Sequence, residues 1–101
     1  MGFMSQVEGF YLGETRRRGI HFIEDDGNDF TITVATYEVF KETASNTYTS
    51  QGAAASATID NTNDNVYTFV TPAATGLYYV QFAVTIDDGT VLYGRCAYRV
   101  T

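Results

Sequence analysis

Between Tyr78 and Ile86 the chain alternates without a break: Tyr78, Val80, Phe82, Val84 and Ile86 hold one parity, and Tyr79, Gln81, Ala83 and Thr85 hold the other. Successive side chains of an extended strand point to opposite faces, so a period of two predicts a long strand with one buried face. Asp87-Asp88-Gly89 then reads as a turn, followed by a second strand. That strand has Leu92, Gly94, Cys96, Tyr98 and Val100 on one side, and Val91, Tyr93, Arg95, Ala97 and Arg99 on the other. The charges choose the register. A two-residue turn at Asp88-Gly89 sets Phe82 against Arg95 and Tyr78 against Arg99, forcing two guanidiniums into the core at a cost of several kcal/mol. A three-residue loop instead pairs Ile86 with Thr90, Phe82 with Gly94 and Val80 with Cys96, and it places Gly89 where a left-handed residue is needed. The three-residue loop is the expected form.

The rest of the chain supports an all-β reading. Its aromatic residues are 8 Tyr and 7 Phe with no Trp, and Val, Ile and Thr are plentiful, all of them residues that fit a pleated, half-buried surface. At 101 residues there is room for one domain, 1–101, with an ordinary core. Phe30, Ile32 and Val34 share a parity that Tyr37 and Val39 reverse, which calls for a bulge or a new strand near Ala35-Thr36. Ser56 to Asp60 and Val66 to Thr71 read as a hairpin around Asn61-Thr62-Asn63-Asp64-Asn65. Its pattern leaves open whether Val66 and Val70, or Tyr67 and Phe69, face inward. Val7 to Leu12 and Ile20 to Ile23 are expected as edge strands, and Lys41 to Ala55 as a long polar loop crossing between sheets.

Charge and chemistry exclude more than they assign. The net charge of −6 opposes nucleic acid and anionic lipid. Arg16, Arg17 and Arg18 nevertheless hold half of the basic charge. They read as a solvated turn between strands, with a patch for an acidic face of a neighbouring protein copy as the functional alternative. One cysteine, Cys96, rules out an intrachain disulfide; on the core-facing parity it is an inert small hydrophobe. His21, the only histidine, alternates outward from Ile20 and Phe22, so a His21–Cys96 dyad is disfavoured. The N-terminus lacks the pattern of a signal peptide, and no apolar run reaches the ~20 residues of a membrane helix, so a reducing cytosol is the expected site of synthesis. Glu24-Asp25-Asp26-Gly27-Asn28-Asp29 offers oxygen ligands of the kind calcium prefers, but without EF-hand spacing, and with Asp87-Asp88 and Asp60 to Asp64 it reads as turn chemistry. No catalytic, metal or cofactor site is expected.

Gly76-Leu77-Tyr78-Tyr79-Val80 resembles the Gly-x-Tyr-x-Cys corner that opens strand F of immunoglobulin-like domains, with Val80 in the place of the cysteine. Together with Ala35 to Phe40, Ser56 to Asp60 and the final hairpin, it is similar to the small immunoglobulin-like modules of tailed-bacteriophage structural proteins, of tail, baseplate or head-decoration type. The resemblance implies a disulfide-free sandwich of about seven antiparallel strands. It also implies a non-enzymatic building block made in the cytoplasm of a bacterial host, which docks with copies of itself or other virion proteins. The expected contact face holds Tyr79, Tyr93, Arg95 and Arg99, taken as solvent-facing, with Arg16 to Arg18 as a second candidate. Tyr and Arg are enriched in such interfaces. Glycan binding is the alternative use of the same aromatics. The chosen register offsets Tyr79 and Tyr93 by four residues, roughly 13 Å, too far apart to stack on one sugar ring.

Overall fold

The computed structural model describes residues 7–22 and 30–101. Among them are nine strands and no helix: β1 (Val7–Phe10), β2 (Arg16–His21), β3 (Ile32–Ala44), β4 (Thr47–Ser50), β5 (Ala55–Ser56), β6 (Thr58–Asp60), β7 (Asn65–Val70), β8 (Gly76–Ile86) and β9 (Val91–Val100). The larger sheet has the order β1-β9-β8-β3-β4, with β5 added to β3; the smaller has the order β2-β7-β6. All pairings are antiparallel except that of β1 with β9, which is parallel and corrects the expectation of a purely antiparallel fold.

The β8–β9 hairpin takes the three-residue loop. Val80 opposes Cys96 and Phe82 opposes Gly94, while the Ile86 amide donates to the Thr90 carbonyl at 3.0 Å. Gly89 stands at φ +89°, a conformation that costs glycine least. Arg95 and Arg99 point outward, as the desolvation argument requires. Tyr78, Val80, Phe82 and Val84 are buried, and Ile86 packs partly buried against them.

The two sheets share this core. Val66 and Val70 of β7 face inward, settling the parity of that strand, and they join Phe10, Phe22, Ile32, Ala35, Tyr98 and Val100 around the β8 row. Gly94 has a packing reason to lack a side chain. A Cβ there would meet Ile20 Cδ1, which reaches across from the smaller sheet, at 2.7 Å. At one end of the core the rings of Phe10, Tyr98 and Tyr78 stack in a row, with centroids 4.7 and 5.2 Å apart. The Tyr78 hydroxyl donates to the Ala74 carbonyl at 2.7 Å, tying the chain before β8 back onto the strand.

Three segments depart from expectation. β3 is one continuous strand whose parity change is a bulge at Thr33, two residues before the expected place; the Thr33 hydroxyl bonds the Thr85 carbonyl at 3.1 Å. Lys41 to Ala55 is not a long loop, because β3 runs on to Ala44 and turns at Asn46 (φ 60°) into β4. The crossing between sheets falls later, where β5 pairs with β3, Ala57 donates to the Ala35 carbonyl at 3.0 Å, and β6 joins the smaller sheet. Arg16 to Arg18 is no turn either, but the start of β2, paired with Val70 to Thr68. The expected hairpin of residues 56–71 forms from Thr58 onward, and Asp60 closes its turn by accepting the Thr62 and Asn63 amides.

Candidate functional site

The outer face of the larger sheet is built in rows, because residues directly opposite on β3, β8 and β9 point the same way. Val34, Thr85 and Val91 form the first row, next to the β8–β9 turn. Thr36, Ala83 and Tyr93 form the second, Glu38, Gln81 and Arg95 the third, and Phe40, Tyr79 and Ala97 the fourth. The rows differ in how much water they see. Val34, Val91 and Tyr93 are 53%, 48% and 67% exposed, a cluster of large apolar side chains at one end of the sheet. The third row is polar, and there Arg95 Nε donates to Gln81 Oε1 at 2.9 Å.

The fourth row corrects the assignment of Tyr79 as a solvent-facing residue. Its side chain does point outward, yet it is only 7% exposed. The ring of Phe40 stacks on it at 4.8 Å, Tyr48 of β4 tilts against it at 4.9 Å, and the Arg95 guanidinium lies 4.8 Å above it. This is a second, smaller cluster on the outside of the sheet, made by neighbours in the same sheet. β4 supplies part of it, and the polar sequence around Tyr48 gave no sign of that strand. Tyr93, Arg95 and Arg99 are exposed on the face as expected. Val34 and Val91 belong to it as well. Val34 parts from the parity of Ile32 because the bulge falls at Thr33, before it, and not at Ala35-Thr36, after it.

Arg16, Arg17 and Arg18 do not form one patch, because alternation along β2 divides them. Arg16 and Arg18 share the inward parity of Ile20 and extend over the Phe10 ring at 5.3 and 5.9 Å. Arg18 also donates to the Ala97 carbonyl at 3.2 Å, and Arg16 pairs with Glu14 at 3.2 Å. Arg17 alone lies on the outer face of the smaller sheet, 3.9 Å above the Tyr67 ring. With Lys41 5.8 Å from the Tyr78 ring and Arg95 over Tyr79, five basic residues sit on aromatic faces. A cation held over a ring gains electrostatic attraction without needing a carboxylate.

His21 is exposed, with Nδ1 2.8 Å from Asn65 Oδ1, and Cys96 is half-buried on the inward side of β9. Among the described residues no group of three or more His, Cys, Asp or Glu is arranged to hold a metal ion. The acidic run Glu24 to Asp29 lies outside the described residues, as do Ile23 and the first six residues. Asp60 and Asp88 are held below the ordinary carboxylate range, Asp60 chiefly by the Asn63 side chain and Asp88 by Thr90, as expected for carboxylates that accept turn hydrogen bonds. Tyr98 and Tyr78 are shifted upward by burial. Compared with protein-family models, curated proteins and solved structures, the chain has no significant match.

Proposed function

We propose that the chain is a non-enzymatic assembly module with an immunoglobulin-like sandwich fold, a structural component of a tailed-bacteriophage or prophage particle. The strand order supports the fold reading. A β2-β7-β6 sheet faces a β1-β9-β8-β3-β4 sheet in which β1 runs parallel to β9, and a tyrosine bonds back over the turn before β8. The observation that carries the assembly reading is the exposed row-end of the larger sheet. Val34, Val91 and Tyr93 are exposed at the turn end of the face, on either side of Thr85 and Ala83. The polar Glu38–Gln81–Arg95 row borders them on one side, so apolar surface is edged by hydrogen-bonding groups of the kind found in interfaces. Glycan stacking is less well served, since Tyr79 is covered by Phe40 and Tyr48 and leaves Tyr93 as the open ring of the pair.

Light scattering over a range of protein concentrations tests this. A concentration-dependent oligomer is the expected result, and a strict monomer retained on a glycan column would favour the sugar-binding alternative. Capsid or tail genes on either side of the coding sequence are the expected genomic setting; metabolic neighbours would count against the particle.

A further inference from the structure

The smaller sheet stops short on one side. β6 covers β7 from Asn65 to Tyr67, and among the described residues no strand pairs with Thr68, Phe69 or Val70 on that side. The backbone groups left there can be identified. A Cβ built on Gly19 would come within 2.9 Å of the Tyr67 Cβ, the close approach of an antiparallel pair that does not exchange hydrogen bonds. Tyr67 therefore turns its N–H and C=O away from β2, and so do the next residues of its parity, Phe69 and Thr71. Pro72, with no N–H, ends the edge.

Beside this edge lies an open cleft of about 390 Å³ between the sheets. Tyr37, Val39, Val70, Pro72, Tyr78 and Tyr98 line it, where the larger sheet extends past the smaller. On the outer side stands Phe69, 61% exposed, next to Arg17. On the inner side Lys41 lies against Gly76 and the Tyr78 ring. Among the described residues neither cation has an ion pair, although Arg17 acts electrostatically on Asp60; the turn carboxylates of Asp64, Asp87 and Asp88 gather at the opposite end of the strands. Two basic side chains, Arg17 and Lys41, therefore stand at the cleft of an otherwise acidic chain.

We propose that this edge binds an extended, acidic peptide segment of a partner protein as an added strand, antiparallel to β7 and in line with β6. The segment's inward residues are uncharged and branched or aromatic and fill the cleft, while its outward residues are acidic and meet Arg17. Main-chain hydrogen bonds supply the affinity and the cleft supplies the choice of side chain. The site is separate from the outer face of the larger sheet and does not rest on the assembly reading.

In an antiparallel pair, residues that exchange hydrogen bonds have side chains on the same face, so the outward residues of the segment bond Phe69 and Thr71. The probe is acetyl-Glu-Val-Glu-Val-Glu-amide, titrated into the isotope-labelled chain and followed by amide NMR. Expected are saturable shifts and slowed exchange at Phe69 and Thr71, retained when the Val amides of the peptide are N-methylated and lost when the Glu amides are. A Lys-Val-Lys-Val-Lys peptide is expected to bind more weakly, the difference shrinking at high salt. The inference is overturned by any of four results: no shift at the solubility limit, equal binding of both N-methylated forms, protection of the β1 or β4 edge instead, or shifts of the same amides with protein concentration alone, which would assign the edge to a second copy.

Discussion

Buried residues lie on both sides of β8, but different partners cover them. On the inner side, Val80, Phe82 and Val84 are fully buried because the smaller sheet lies over them. On the outer side, Tyr79 is covered by Phe40, Tyr48 and Arg95, all from its own sheet. Burial of the first kind depends on the whole fold, and burial of the second kind on local side-chain arrangement. Low exposure is therefore not one property. Removing an inner residue should weaken the fold broadly, whereas removing an outer one should loosen one patch and leave the sheets paired.

The largest expected effect comes from the inner row. Phe82→Ala should lower unfolding free energy by about 3–5 kcal/mol in a denaturant titration, through lost burial and the cavity left behind. A loss below ~1 kcal/mol would mean that the ring is not enclosed between the sheets. Tyr78→Phe keeps the ring stack and removes only the hydroxyl bonded to the Ala74 carbonyl, so about 1–2 kcal/mol is expected. No change would make that bond incidental.

pH separates the same two kinds of position. Tyr98 and Tyr78 are raised above their ordinary value of 10.0, Tyr98 by burial and then by the neighbouring Tyr78 charge, and Tyr78 by burial. An unfolded chain releases these protons near pH 10 while the folded chain keeps them. Their contribution is thus complete below pH 10 and falls as pH rises beyond it. Denaturant midpoints measured from pH 8 to 11.5 should drop above about 10, and Tyr98→Phe should flatten that drop. The smallest effect belongs to the exposed row-end. Tyr93→Ser should change stability by no more than about 0.5 kcal/mol, because the side chain lies mostly in water.

What sequence could show follows the same division. The β8–β9 register was legible because a single-residue slip would bury Arg95 and Arg99, a penalty written into two neighbouring strands. The Tyr78 tie was legible through the resemblance of Gly76 and Tyr78 to the corner of immunoglobulin-like domains, where the tyrosine hydroxyl bonds back to upstream backbone. The cover over Tyr79 was not, because it needs Phe40 and Tyr48 brought beside it by pairings of β8 with β3 and of β3 with β4. Nor was the division of Arg16 to Arg18 legible while the segment was read as a turn; once it is a strand, alternation assigns each arginine to its face. The place of the bulge at Thr33, and with it the face of Val34, was not legible for a related reason. A parity change is visible in sequence, but the residue that absorbs it is chosen by the partner strand.

The account turns on the exposed rows of the larger sheet serving as a docking face rather than as idle surface. Sedimentation velocity of the chain and of the double variant Val34→Glu, Tyr93→Glu, with unchanged unfolding midpoints as the control, puts this directly. The account predicts that the parent chain associates as concentration rises and that the variant stays monomeric. Association of equal strength in both proteins, or a parent chain that never associates, would contradict it.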